Sequence, residues 1–223
     1  MEKQLVKILS VESVTHNVLR FKFQRPAGLT FVPGQAADIS VNRPEWKEEK
    51  RPFTFTGMKE WDHLEFTIKI CPDHHGVTEQ LRMLSAGDEL IIHDVFGAIH
   101  FQGDGLFIAG GAGVTPFIAI FRQLASEKKL GNNMLLFSNN TEADIILRDE
   151  FEKILGSRFI NTLTREKSDR YYNRKIDAGF LKEMIDDLSV YFYVCGPDPM
   201  VEGVKEALLT IGVEEKKVVI EQF

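Results

Sequence analysis

Apolar and polar residues alternate along much of the first hundred positions. Leu19, Phe21 and Phe23 are separated by Arg20 and Lys22. Leu64, Phe66, Ile68 and Ile70 are separated by Glu65, Thr67 and Lys69. A period of two sends one set of side chains to a core and the other to water, so both runs predict strands. Residues 36–41, 52–56 and 89–92 predict further strands. Turn signals at Pro26-Ala27-Gly28, Pro33-Gly34 and Gly87-Asp88 separate them. Short strands at this spacing predict an antiparallel barrel or sandwich, with one short helix at about 77–84.

The period changes after Gly103-Asp104-Gly105. Short apolar runs at 106–109, 134–137, 159–163, 190–194 and 218–220 alternate with helical patterns, the first from Pro116 to about Lys128. That rhythm predicts a parallel sheet with helices on both faces. The boundary falls near residue 101, giving domains 1–100 and 101–223.

Charge and cysteine content narrow the function. A formal charge of -6 argues against a nucleic-acid binder, which carries a basic face. Two distant cysteines, Cys71 and Cys195, are too few for a disulfide scaffold or a four-thiolate iron–sulfur cluster. No metal site is expected; His74-His75, with only Asp73 and Cys71 nearby, reads as a surface loop. The start, Met1-Glu2-Lys3-Gln4, lacks an apolar leader, and no run approaches the ~20 apolar residues of a membrane helix. A cytoplasmic monomer or weak oligomer is expected.

Four stretches carry candidate chemistry. In Ile108-Ala109-Gly110-Gly111-Ala112-Gly113-Val114-Thr115-Pro116 a buried strand runs through glycines into a helix. Glycine lets a phosphate approach the backbone, and a helix N-terminus offers it N–H groups. Alone, such a turn is as often a tight connection. Tyr193-Val194-Cys195-Gly196-Pro197-Asp198-Pro199-Met200 is a second strand-to-helix turn, with Asp198 suited to cap the helix and Pro199 to open it. Arg51-Pro52-Phe53-Thr54-Phe55-Thr56 combines a cation, an aromatic ring and hydroxyls on one strand, as a flat phosphorylated ligand requires. His75-Gly76-Val77-Thr78 begins the short helix, whose N–H groups suit a second phosphate. Each of the last three, standing alone, reads more readily as ordinary structure.

In this order and spacing the four stretches resemble the ferredoxin–NADP reductase superfamily over essentially the whole chain. That family shows an arginine–aromatic–serine/threonine strand, a glycine/serine helix start, a GGxGxxP turn, a CGP turn and a terminal aromatic, here Phe223. The resemblance implies a six-stranded antiparallel flavin barrel followed by a five-stranded parallel nicotinamide-nucleotide domain. It implies that Arg51, with Pro52 beside it, meets the flavin phosphate, that Phe53 lies on the isoalloxazine ring, and that Thr54 sits near the hydride-accepting nitrogen. Ile68, Lys69 and Ile70 would line the flavin tail, and Gly76, Val77 and Thr78 would hold the pyrophosphate. Gly110, Gly111, Gly113, Thr115 and Pro116 would line the nucleotide site with Cys195, Gly196, Pro197 and Met200. Glu221 and Phe223 would lie close to the flavin, Phe223 yielding to the nicotinamide and Glu221 either relaying a proton or stabilising the half-reduced flavin. Many relatives carry tyrosine where Phe53 stands; stacking survives the change and a hydroxyl contact is lost. FAD is expected, with FMN as the alternative.

For the nucleotide, two cues diverge. Thr164-Arg165, with Tyr172 for the adenine, resembles the Ser-Arg pair of NADPH-using relatives. Ser138-Asn139-Asn140-Thr141-Glu142 resembles NADH-using ones. NADPH is the first expectation and NADH the second. The expected acceptor is an acidic flavodoxin or ferredoxin, met by Arg43, Lys47, Lys50 and Arg51. An oxygenase or globin system, free flavin, or ferric iron are the alternatives, and a redox-inactive nucleotide-binding module is the reading from another class.

Overall fold

The computed structural model describes residues 3–71 and 76–220. Among these, the strands form two sheets. The first contains β1 (Gln4–Thr15), β2 (Val18–Gln24), β3 (Ala36–Val41), β4 (Arg51–Thr54), β5 (His63–Lys69) and β6 (Glu89–Phe96), in the order β4-β3-β6-β1-β2-β5. All its pairings are antiparallel. Just past β4, Phe55 bridges to Phe66 of β5, and Thr56 N donates to Glu65 O at 2.9 Å. The last strand thus meets the first, and the sheet curls into a barrel closed by this short bridge.

β1 makes this closure possible. Its first residues pair with β6 and the remainder with β2, with register shifts at Ile8/Ser10 and Ser13/Thr15. Such irregularities bend a strand and let it serve two neighbours. β1 is absent from the strands that alternation marks. Leu5 and Leu9 stand beside buried Val6 and Ile8 yet are 54% and 52% exposed, so two apolar doublets mask the period of two. The barrel core is aromatic: Phe31 stacks on Phe55 at 4.3 Å, and Phe66 contacts Phe55 at 4.8 Å and Phe23 at 5.5 Å. Helix α1 (Val77–Arg82) docks on it through Val77 and Leu81. It stops two residues before the expected end, with Met83 as its C-cap.

The second sheet holds β7 (Gly105–Gly110), β8 (Met134–Asn139), β9 (Phe159–Leu163), β10 (Tyr191–Cys195) and β11 (Val218–Ile220), all parallel, in the order β11-β10-β7-β8-β9. Helices α2 (Thr115–Ser126), α3 (Arg148–Leu155), α4 (Ala178–Met184) and α5 (Asp198–Thr210) connect these strands. All six residues of β7 are buried, as a central strand covered on both faces requires. α4 and α5 cover one face, packing Phe180, Leu181, Val201, Val204 and Leu208 onto Ile108, Leu136, Phe192 and Val194. On the other face Phe151 of α3 meets Phe159 at 5.3 Å. α2 ends two residues short of Lys128, which takes φ +57, outside the helical region. α5 is shifted against expectation: Pro197 is its N-cap and Asp198 its first residue, so Asp198 favours the helix dipole instead of capping a backbone N–H.

The chain divides into two units. One comprises the chain up to His100 together with Thr115–Gln123; the other comprises Phe101–Val114 and the chain from Leu124 on. No helix among the described residues is long and apolar enough to cross a membrane.

Candidate active site

Strand order alone locates one site. The chain runs outward from β7 through β8 to β9, then returns to the other side of β7 for β10 and β11. The order reverses between β7 and β10, and ligands of open parallel sheets bind beyond the carboxyl ends of strands at such a point. Those ends are Gly110 and Cys195, the starts of the two turns singled out by motif. Their strands run in register, Ala109 beside Cys195.

The glycines divide the work between them. A Cβ on Gly113 would collide with the Cys195 carbonyl, and one on Gly110 with the Met200 sulfur. These two glycines therefore let the turns pack together. Gly111 differs: it takes φ +52 and has nothing within 4 Å of where a Cβ would stand. It offers open backbone to a ligand. Residues 111–114 form a single 3-10 turn before α2 begins at Thr115, with Pro116 in its first turn. Cys195 is 6% exposed, and neither it nor Cys71 forms a disulfide.

The next strand end adds an uncommitted amide. Asn139, the last residue of β8, is 4% exposed, and neither its oxygen nor its nitrogen has a hydrogen-bond partner among the described residues. Such a buried amide costs free energy until water or a ligand satisfies it. Its own carbonyl accepts from Thr164 N at 2.9 Å and from the Thr164 hydroxyl at 3.3 Å. Arg165 N donates to the Asn140 carbonyl at 3.0 Å. The two segments that gave conflicting nucleotide cues are thus stitched into one rim.

Around that rim the cations differ. Arg170 pairs with Glu152 at 2.7 Å, and Arg174 with Glu183 at 2.9 Å. The Arg165 side chain is exposed, with no hydrogen bond or ion pair to the described residues. Glu166, beside it, accepts from Glu142 N at 2.7 Å. The Tyr172 ring is 44% exposed and lies 4.9 Å from Phe180, while its backbone bridges to Thr162 of β9.

In the barrel, the second group of candidates lies on β4 and β5. Arg51 and Pro52 are exposed, Phe53 is half-buried against the core, and Thr54 is 8% exposed. Ala36 and Ala37 stand opposite Thr54 and Phe53. Arg51 donates to the Lys50 carbonyl at 2.7 Å. On β5 only Lys69 is exposed; the side chains of Ile68 and Ile70 belong to the core. Any ligand contact by the isoleucines is therefore through backbone. The same holds for Val77, 1% exposed, whereas Gly76 and Thr78 are half-buried.

The cations proposed for an acceptor stand among acids. Arg43, Lys47, Lys50 and Arg51 are interleaved with Glu45, Glu48 and Glu49, and Glu48 pairs with Lys3 at 2.8 Å. Glu221, Phe223, Asp73, His74 and His75 lie outside the described residues.

Three buried arrangements depend on partners distant in sequence. Tyr193 stacks on Phe107 at 4.1 Å; its oxygen accepts from Gln102 N and Gly103 N and donates to Gly103 O at 2.8 Å. Burial raises the pKa of this phenol, keeping it a neutral clamp on the entry to β7. His93 bonds Ser40 at 2.8 Å, and burial, reinforced by Lys50 and Lys3, lowers its pKa. The third is an ion pair between Arg122 and Glu65. No local motif marks these contacts, since the partners lie 53 to 91 residues apart.

Residues 3–100 match the FAD-binding domain family, and residues 107–206 match the oxidoreductase NAD-binding domain family. NADH-cytochrome b5 reductase 1 of Homo sapiens is 28% identical over 245 residues, which cover 90% of this chain and 79% of that protein. The flavohem-like FAD/NAD-binding domain of nitric oxide dioxygenase from Vibrio cholerae O1 biovar El Tor superposes with a TM-score of 0.87 at 21% identity, covering 99% of this chain and 98% of that one. A ferredoxin NADP+ reductase from Neisseria gonorrhoeae, with bound FAD and NADP, gives 0.84 at 19% identity with the same coverage.

Proposed function

Because the chain belongs to the ferredoxin–NADP reductase superfamily, as an FAD-dependent reductase that oxidises a nicotinamide dinucleotide, we propose that it delivers single electrons to a small acidic carrier protein. FAD, when bound, supplies the conversion of a two-electron hydride donation into one-electron steps. The chain's residues bind, orient and exclude water.

The flavin belongs to residues 1–100 and the nucleotide to residues 101–223. Arg51 provides a cation for phosphate, Phe53 an apolar face for the ring, and Thr54 a hydroxyl at the reacting edge. Gly76, Thr78 and the backbone of Val77 hold the pyrophosphate, and Lys69 with the backbone of Ile68 and Ile70 lines the tail. Gly111 and the helix start at Thr115-Pro116 receive the nucleotide phosphates. Gly110, Gly113, Gly196, Pro197 and Met200 hold the two turns together, and Cys195 faces the nicotinamide. Phe223 and Glu221, which lie outside the described residues, keep the flavin-side roles that the resemblance implies.

For the nucleotide we propose NADH. The Thr164 hydroxyl is already engaged by Asn139 and Asn140. Arg170 and Arg174 are matched by carboxylates, and the Glu166 carboxylate would repel a ribose phosphate. Ser138 and Asn139 then serve the adenosine side. The observation that carries the functional reading is the packing of the glycine turn on the Cys195–Met200 turn at the strand-order switch.

Anaerobic addition of NADH or NADPH to the yellow protein tests it. Bleaching by NADH at lower concentration than by NADPH is the expected result; the reverse order defeats the nucleotide assignment, and absence of bleaching defeats the whole reading. Flavodoxin and ferredoxin are the first acceptors to try. A haem protein is the second, favoured by the likeness to NADH-cytochrome b5 reductase. Salt should slow transfer to any of them, because the attraction is between exposed charges.

A further inference from the structure

The first unit buries a charge pair. The side chains of Glu65 and Arg122 are 2% and 8% exposed. Arg122 Nη1 donates to Glu65 Oε1 at 2.5 Å and to the Thr56 carbonyl at 2.8 Å. Glu65 Oε1 also accepts from the Thr56 hydroxyl at 2.9 Å, and that hydroxyl lies 3.1 Å from Thr67 Oγ1. The guanidinium carbon sits 5.3 Å from the Trp61 ring. One side chain on α2 thus grips both the run that continues β4 and the strand β5.

Stability alone does not account for such a pair. Removing two charges from water is costly, and well-packed apolar residues in their place are often neutral or stabilising. What a guanidinium adds is direction. Its planar, fixed set of donors holds a carbonyl at one place and angle, which an apolar contact does not. The held carbonyl belongs to Thr56, two residues beyond Thr54. The holding residue lies two helical turns beyond Thr115, where the glycine turn becomes α2.

We infer that Arg122 and Glu65 are positioning residues for hydride transfer: they fix the Phe53–Thr56 backbone against helix α2. This rests on the reading of Arg51–Thr54 as the flavin strand. The glycine turn continues directly into α2, so the same helix carries the nucleotide loop at one end and the grip on Thr56 further along. Loosening the grip leaves FAD bound and lets the Thr54 hydroxyl drift from the reacting edge of the flavin, a displacement to which such reactions are steep.

The test compares wild type, E65L/R122M, R122K and T54V as FAD-loaded proteins. Three quantities are measured: melting temperature, amide hydrogen exchange across residues 51–57, and the rate of flavin bleaching at saturating NADH. The double variant is used because Arg122→Met alone strands a buried carboxylate. The expected double variant keeps its flavin and melts within about 5 °C of wild type. Its exchange at 51–57 rises about tenfold, and bleaching slows by about 10- to 100-fold with the half-saturating NADH concentration little changed. R122K, which keeps the charge but loses the planar fork, recovers part of both. Wild-type exchange and wild-type bleaching in the double variant, with T54V slowed, would overturn the inference. If T54V also bleaches at the wild-type rate with full flavin, the reading of β4 fails first, and the inference with it.

Discussion

The two units differ in the polar side chains they bury most deeply. In the first, the fully buried polar side chains include titratable ones, Glu65, His93 and Arg122, each tied to a neighbour: His93 to Ser40, Arg122 to Glu65. In the second, the buried amides and hydroxyls are Asn133, Asn139, Asn161, Thr162 and the phenol of Tyr193, all uncharged, and the ion pairs are more exposed. Two of those amides, Asn139 and Asn161, keep atoms without a partner among the described residues. The difference follows from architecture. A closed barrel has no strand ends converging on one crevice, so charge buried on its wall must be matched on the spot. A parallel sheet gathers its strand ends at one rim, where an unmatched amide can await a ligand.

The comparison can be broken at several points. The largest effect is expected from Arg122→Met, which leaves Glu65 buried and unpaired. Denaturant unfolding should show a loss of about 3–5 kcal/mol, whereas Arg170→Met, at an exposed pair, should change stability by less than about 1 kcal/mol. Next come the glycines. Gly113→Ala drives a methyl into the Cys195 carbonyl and should raise the half-saturating NADH concentration by about tenfold or more, through misplacement of the two turns. Gly111→Ala meets open space and should cost only about 1 kcal/mol, from its positive φ. Unfolding and NADH titration of both variants separate these origins.

Asn139→Leu sharpens the contrast, because stability and binding should move in opposite directions. Removing an unsatisfied buried amide should leave the nucleotide-free protein equal or up to about 1 kcal/mol more stable, and NADH should bind more weakly. A loss of stability with unchanged NADH binding would mark Asn139 as purely structural. The smallest effect concerns pH. The pKa of His93 is lowered in the folded chain, below the 6.5 of an ordinary histidine. Below pH ~6.5 the unfolded chain takes up a proton that the folded one refuses, so stability falls as pH falls through that region. Above it both forms are neutral and the contribution is level. In His93→Gln, unfolding free energy measured between pH 5 and 7 should vary less steeply.

What could be read from the residues in advance depended on how local the cause was. Alternation in β2 and β5 and the apolar runs of β7 to β11 report backbone period directly, and the two turns carry their signal within nine residues. β1 was illegible because its outward face carries Leu5 and Leu9. The roles of the glycines were only half legible. Sequence suggests that glycines admit a phosphate, but Gly110 and Gly113 are needed for contact with a turn more than eighty residues later. The Arg122–Glu65 pair was hidden for the same reason: Glu65 reads as the polar half of an alternating strand, and only the covering helix turns it into a buried group.

The cation–ring contact at Trp61 gives the molecule a built-in optical gauge. The chain has two tryptophans, Trp46 and Trp61, and Trp61 lies beneath the guanidinium that grips Thr56. Its emission therefore samples one small volume where helix and barrel wall meet. Movement of Arg122 changes the field across the indole and shifts its colour. With Trp46 replaced by phenylalanine, emission from an otherwise unlabelled protein would follow this corner in real time as the reductase turns over.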